Sequence, residues 1–119
     1  MDWKLNKNKP LTGQICEQIC LKIAIGELLP ESKLPSVRET AIASGVNPNT
    51  VQRAFESLEQ NGIIYSVRGL GSFVSPDTQK AKETVEQILR KKALEFFSEM
   101  RALGLDVEQT KKYVKELEI

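Results

Sequence analysis

The sequence predicts a mainly α-helical chain with one small β-hairpin: a winged helix-turn-helix followed by a two-helix C-terminal tail. Three observations predict it. A short helical stretch and a longer one are separated by a turn at Gly45, and the longer one opens on Asn47-Pro48. Two runs of β-forming residues follow directly and are split by Arg68-Gly69-Leu70-Gly71. Past Pro76, apolar residues return at helical spacing. Helix, turn, helix and hairpin in that order make the winged motif.

The first ten residues set Trp3 and Leu5 among Lys4, Lys7 and Lys9 and close on Pro10, which reads as an extended arm whose tryptophan plugs the edge of the core or of a partner subunit. From Leu11 to Ile25, Ile15, Ile19 and Ile23 recur every fourth position with Cys16 and Cys20 beside them, the stripe of an amphipathic helix that Gly26 stops. Leu29 to Pro35 holds two prolines and reads as an extended connector. Ser36-Val37-Arg38-Glu39 is a capping box that starts a second helix near Val37, and Gly45 ends it. Asn47 caps a third helix with Pro48 at its first position, where a missing N–H costs nothing, and Asn61-Gly62 stops that helix after Gln60. Ile63–Val67 and Ser72–Ser75 are the hairpin strands. A long helix then runs from about Asp77 to Gly104, and Asp106 with Gln109 caps a last one bearing Val107, Val114 and Leu117.

Composition narrows the function. Of 119 residues, 40% are hydrophobic, enough for one modest core, and 17 basic residues against 16 acidic leave a net charge of +1 that points neither toward nor away from a polyanion. No apolar run approaches the roughly 18 residues that span a bilayer, so a cytoplasmic protein without a membrane partner is expected. There is no histidine, and Cys16 and Cys20 stand four apart on one helix face, which disfavours a disulfide and leaves too few ligands for zinc. No metal, no cofactor and no enzymatic activity are expected: the chain lacks a phosphate-cradling glycine loop, and Glu39, Glu56 and Glu59 are assigned to a cap and a helix surface.

Helical geometry separates the two faces of the third helix. At 100° per residue from Val51, the positions Ala54, Phe55 and Leu58 turn toward the core, while Asn49, Arg53, Glu56 and Gln60 turn outward with Gln52 at the flank. Asparagine and glutamine pair with adenine in two-pronged fashion and arginine with guanine, so the outward face suits a DNA major groove. An arginine at the narrow hairpin tip suits the minor groove. A winged helix used for protein docking is the alternative that the neutral charge leaves open.

Four blocks carry a resemblance. Leu34-Pro35-Ser36-Val37-Arg38-Glu39, Gly45-Val46-Asn47-Pro48-Asn49-Thr50-Val51, Leu58-Glu59-Gln60-Asn61-Gly62-Ile63-Ile64 and Arg68-Gly69-Leu70-Gly71-Ser72-Phe73-Val74 resemble, in order and spacing, the DNA-binding domain of the GntR family of bacterial regulators. The resemblance implies DNA contacts at Arg38, Asn47, Asn49, Thr50, Gln52, Arg68 and Gly69. Ser36 and Pro48 stand in the same blocks, and Arg53 joins the set because it faces outward. Glu31-Ser32 departs from a connector that more usually carries a glycine, and Pro48 stands near the start of a helix where relatives often place an arginine. With Arg53 and Arg68 balanced by Glu56 and Glu59, affinity is expected to lean on backbone N–H groups at the helix start, uncharged hydrogen bonds and dimer avidity.

The domains are expected at residues 1–75 and 76–119. The tail, with nine basic and nine acidic residues, is too small for an enclosed metabolite pocket, and whether a small-molecule effector exists stays open. Its apolar face, Val85, Ile88, Leu89, Phe96, Met100 and Leu103, is expected to pair two subunits as a homodimer, with folding back on its own chain as the alternative. The combination resembles the short-tailed YtrA-type branch. That resemblance implies control of ABC-transporter genes near the regulator's own gene; a repressor is expected, and a two-fold pair of subunits calls for an operator bearing an inverted repeat.

Overall fold

The computed structural model describes residues 2–119, ordered α1 (Leu11–Ala24), α2 (Val37–Ser44), α3 (Pro48–Gln60), β1 (Ile64–Val67), β2 (Gly71–Val74), α4 (Gln79–Ala102) and α5 (Val107–Glu116). Two compact units result, one reaching to Val85 and the other running from Glu86 to Ile119.

In the first unit α1 and α2 both pack on α3. The stripe Ile15, Ile19 and Ile23 is buried against a cluster that includes Val51, Ala54, Phe55 and Leu58 from α3. Each fully buried side chain of this size contributes about 1.5–3 kcal/mol, so this interface is the main source of the unit's stability. Cys20 is buried with them, and burial pushes its thiol up to about 11, with Cys16 adding to the rise. Cys16 is half-buried and donates to the Ala54 carbonyl at 3.4 Å, so the two cysteines serve as packing residues of α1. The unit continues past the hairpin into α4, because Ala81 is buried in its core and Val85 packs half-buried against it. Val85 therefore packs on its own chain's core, one i,i+4 step along the same helix face as Ala81.

The arm is ordered. Trp3 and Leu5 pack against the core of their own chain, and the Lys22 ammonium lies 5.2 Å from the centre of the Trp3 ring. That ammonium is nearly buried yet satisfied: it donates to the Asp2 carbonyl at 2.6 Å and faces Glu27 at 3.5 Å.

The hairpin has a partner that local sequence does not announce. β1 and β2 pair antiparallel with Tyr65 opposite Phe73, their rings stacked at 5.6 Å. The extended connector lies along the other edge of β2 and is joined to it by an isolated bridge. Lys33 bridges Phe73, the Leu34 N–H donates to the Ser72 carbonyl at 2.8 Å, and the Val74 N–H donates to the Ser32 carbonyl at 2.9 Å. Pro30 and Pro35 flank this segment, where an edge position tolerates a residue without an N–H.

In the second unit Asp106 and Gln109 form the expected capping box, and Gly104 takes φ 100 in the turn between the helices. Thr110 is fully buried and donates to the Asp106 carbonyl at 2.8 Å. Leu89 and Phe96 on α4 and Leu103 just past its end stand seven residues apart and are 58%, 39% and 80% exposed. Ile88 and Met100 are half-buried. Among the described residues no helix is long and apolar enough to cross a membrane.

Candidate nucleic-acid interface

Three structural devices position the candidate residues. The first is the α2 cap. Ser36 Oγ accepts from the Glu39 N–H at 3.0 Å, and the Glu39 carboxylate accepts from the Ser36 N–H at 3.0 Å. The backbone N–H of Ser36 holds the Glu39 carboxyl below the usual carboxylate range, with the Ser36 side chain acting in the same direction. The cap leaves Arg38 exposed on the first turn of α2.

The second device is the turn into α3. Gly45 adopts φ 69, the left-handed stop of α2, and its N–H donates to the Ala41 carbonyl at 3.0 Å. Asn47 then caps α3, its Oδ1 accepting from the Asn49 N–H at 2.8 Å. From there Asn49, Gln52, Arg53, Glu56 and Gln60 are exposed, while Val51, Ala54, Phe55 and Leu58 are buried. The faces divide as the 100° projection requires.

One expectation is corrected here. The start of α3 offers few open backbone donors: Pro48 has none, the Asn49 N–H is held by the cap, and the Thr50 and Val51 N–H groups both donate to the Asn47 carbonyl at 3.0 and 3.1 Å. Local capping has satisfied the groups that an anion would otherwise use. The side chains remain, namely Asn49, the half-buried Thr50 and the Nδ2 of Asn47.

The third device is the hairpin tip. Gly69 and Gly71 take φ 81 and 116, and the Leu70 N–H closes the turn on the Val67 carbonyl at 2.9 Å. Arg68 is held at this turn and is exposed. A cleft of about 310 Å³ between α3 and the hairpin is bordered by Val37, Gln52, Glu56, Arg68 and Gly69. Thus the start of α2, the flank of α3 and the wing tip converge on one concave surface. Gln52 is oriented within it, its Nε2 donating to Glu56 Oε1 at 3.2 Å.

Among the described residues, no carboxylate forms a salt bridge with Arg38, Arg53 or Arg68. Three exposed guanidinium groups without acidic partners are free to take phosphate oxygens or guanine edges. Sequence reasoning missed Lys33, whose stem lies across Gly71: a Cβ built there would stand 3.0 Å from Lys33 Cε. Its only sequence signal is the alternation of Ser32, Lys33 and Leu34, which the flanking prolines hide.

The model for bacterial regulatory proteins of the gntR family matches residues 11–74. The chain is 34% identical over 115 residues to the HTH-type transcriptional repressor YtrA of Bacillus subtilis, covering 91% of this chain and 84% of that protein. Its structure resembles that of a GntR family transcriptional regulator from Listeria monocytogenes, with a TM-score of 0.82, 37% identity, and coverage of 96% of this chain and 100% of the other. It also resembles the AraR DNA-binding domain solved in complex with operator ORE1, with a TM-score of 0.54, 32% identity, and coverage of 63% and 94%.

Proposed function

This chain belongs to the GntR family of bacterial regulatory proteins and is a DNA-binding transcriptional regulator, not an enzyme, and on that premise we propose that it is a repressor gripping an inverted-repeat operator as a homodimer. In this reading the exposed start of α3 reads the major groove through Asn49, Gln52 and Arg53, and Arg68 with Gly69 enters the minor groove. Arg38, Ser36 and Thr50 fix the register on phosphates. Asn47 and Pro48 set the angle at which α3 enters the groove. The name of YtrA supports repression, and the AraR complex supports the docking of this surface on an operator duplex. From the resemblance to the short-tailed branch, the genes controlled are those of an ABC transporter beside the regulator's own gene.

The observation that carries the dimer is the exposed apolar line Leu89, Phe96 and Leu103. Seven-residue spacing, with Ala93 and Met100 between, is the pattern by which two helices bury a common seam. One short recognition helix reads only a few base pairs, and a second copy on a two-fold axis doubles the site. The half-sites then recur about 34–36 Å apart, or at a multiple of that distance.

A fragment ending at Val85 tests this, since it keeps the whole first unit. Sedimentation is expected to show a dimer for the full chain and a monomer for the fragment. The fragment is expected to bind the operator about 10²–10⁴-fold more weakly. A fragment that still dimerises and binds like the full chain overturns the role given to the tail.

A further inference from the structure

Between Ser36 and Ser75 the helix-turn-helix and wing carry no net charge: Arg38, Arg53 and Arg68 are matched by Glu39, Glu56 and Glu59. The backbone donors at the start of α3 are largely taken up by its own cap. Binding to a phosphate backbone draws much of its strength from cations that displace counterions, so this surface needs positive charge from elsewhere.

The arm carries it. Lys4, Lys7 and Lys9 stand against Asp2 as its one acid. The segment from Asn6 to Pro10 is closed into a loop by Gln14 of α1. The Asn6 N–H donates to Gln14 Oε1 at 2.7 Å, while Gln14 Nε2 donates to the Asn6 carbonyl at 2.9 Å and to the Pro10 carbonyl at 2.8 Å. The Asn8 N–H donates to Asn6 Oδ1 at 3.0 Å, which tightens the loop from within. From this loop Lys7 reaches the helix-turn-helix, its Nζ donating to the Gly45 carbonyl at 3.3 Å. Gly45 is the residue that ends α2, and Asn47 opens α3 two positions later. An ammonium has three donors, and this one stays exposed with the other two available.

We infer that Lys7 is a phosphate-binding residue of the operator complex, which makes the N-terminal arm a third DNA-contacting element beside α3 and the wing. The inference rests on the operator-binding reading above. Its ligand is a phosphodiester oxygen of the duplex backbone: an ammonium held against the turn presents a fixed point charge and carries no two-pronged pattern for a base edge. Gln14 is a positioning residue, since it shapes the loop and makes no contribution of charge.

The test uses the full-length protein and a duplex that the parent protein selects from a randomised library, titrated across a salt series. Lys7→Gln is expected to bind several-fold more weakly at low salt. The slope of log affinity against log salt is expected to shrink by about 0.9 for each phosphate that the variant no longer neutralises, with base preference unchanged. Gln14→Ala is expected to weaken binding in the same way but to a smaller extent, and to add nothing in the Lys7→Gln background. Lys7 is exposed, so folding of the variant is checked simply by circular dichroism. Affinity and slope equal to the parent's overturn the inference. So does weaker binding with an unchanged slope, which assigns Lys7 to bracing the turn. A parent protein that shows no salt-dependent duplex binding overturns the operator reading itself, and is told apart because no variant is then involved.

Discussion

The N–H of Glu31 donates to the carbonyl of Val74 at 2.8 Å, and it does so from a left-handed backbone, φ 63, the single positive φ at a non-glycine residue among those described. The turn explains the strain. The Ser32 N–H donates to the Leu29 carbonyl at 3.1 Å, with Pro30 and Glu31 between them, and positive φ at the second central position of such a turn favours glycine. Glu31→Gly removes a penalty of about 1–2 kcal/mol and adds about 0.4–1 kcal/mol of unfolded-state entropy. The variant is expected to be more stable by roughly 0.5–1 kcal/mol, a rise of a few degrees in Tm, measured by thermal and urea denaturation. A fall in stability would mean that the Glu31 side chain has a favourable role.

Arg53 is exposed at the centre of the outward face of α3 and has no acidic partner among the described residues. Arg53→Ala is expected to cost ~1–3 kcal/mol at the cognate operator and to relax preference at one base position. Binding titrations against all single-base variants of a half-site measure both effects. Unchanged affinity and preference would remove α3 as the reading element.

Glu39 supplies the pH dependence of the α2 cap. Its pKa is lowered in the folded state, first by the Ser36 backbone N–H, so the folded protein binds this proton less readily than the unfolded chain does. The stabilisation is present above the unfolded-state pKa, which lies near 4.5, and is lost as pH falls through the lower folded value. Glu39→Gln keeps an acceptor for the Ser36 N–H but cannot titrate. It is expected to flatten the acid limb of the stability curve in that window, read from urea midpoints against pH, and an acid limb identical to the parent's would refute the assignment.

Two truncations separate the tail's roles in folding and in assembly. A chain ending at Ser75 lacks Ala81 and Val85, which complete the core of the first unit, whereas one ending at Val85 retains both. The shorter fragment is expected to be less stable by about 1–3 kcal/mol, the scale of losing one buried side chain and part of another. Equal urea midpoints for the two fragments would place the true end of the core at the hairpin.

Much of this was legible because the signals are local. Ser36 with Glu39, Asp106 with Gln109, and Gly45 before Asn47-Pro48 each decide a helix end within four residues, and the structure realises all of them. The faces of α3 follow from one periodicity. What was hidden depends on distant partners or on competition. The pairing of Lys33 with Phe73 and the reach of Lys7 to Gly45 join residues some 40 positions apart, and no local pattern encodes them. Whether the amides opening α3 face a ligand or their own chain is decided by the Asn47 rotamer for Asn49 and by the Asn47 carbonyl for Thr50 and Val51, and composition reveals neither. Val85 reads as one more member of the tail's apolar row until the burial of Ala81 shows where its turn of helix lies.

The outer segment at residues 31–34, bonded along β2 and bridged at Lys33, means that the wing is not one contiguous piece of chain. A chimera that transplanted residues 64–74 alone would leave the Val74 N–H and the Ser72 and Val74 carbonyls unpaired along an open sheet edge, the kind of edge that recruits foreign strands. The smallest cassette that keeps these edge bonds paired runs from Leu29 to Ser75, and α2 and α3 lie inside it. Recognition helix and wing therefore travel together in any exchange between regulators.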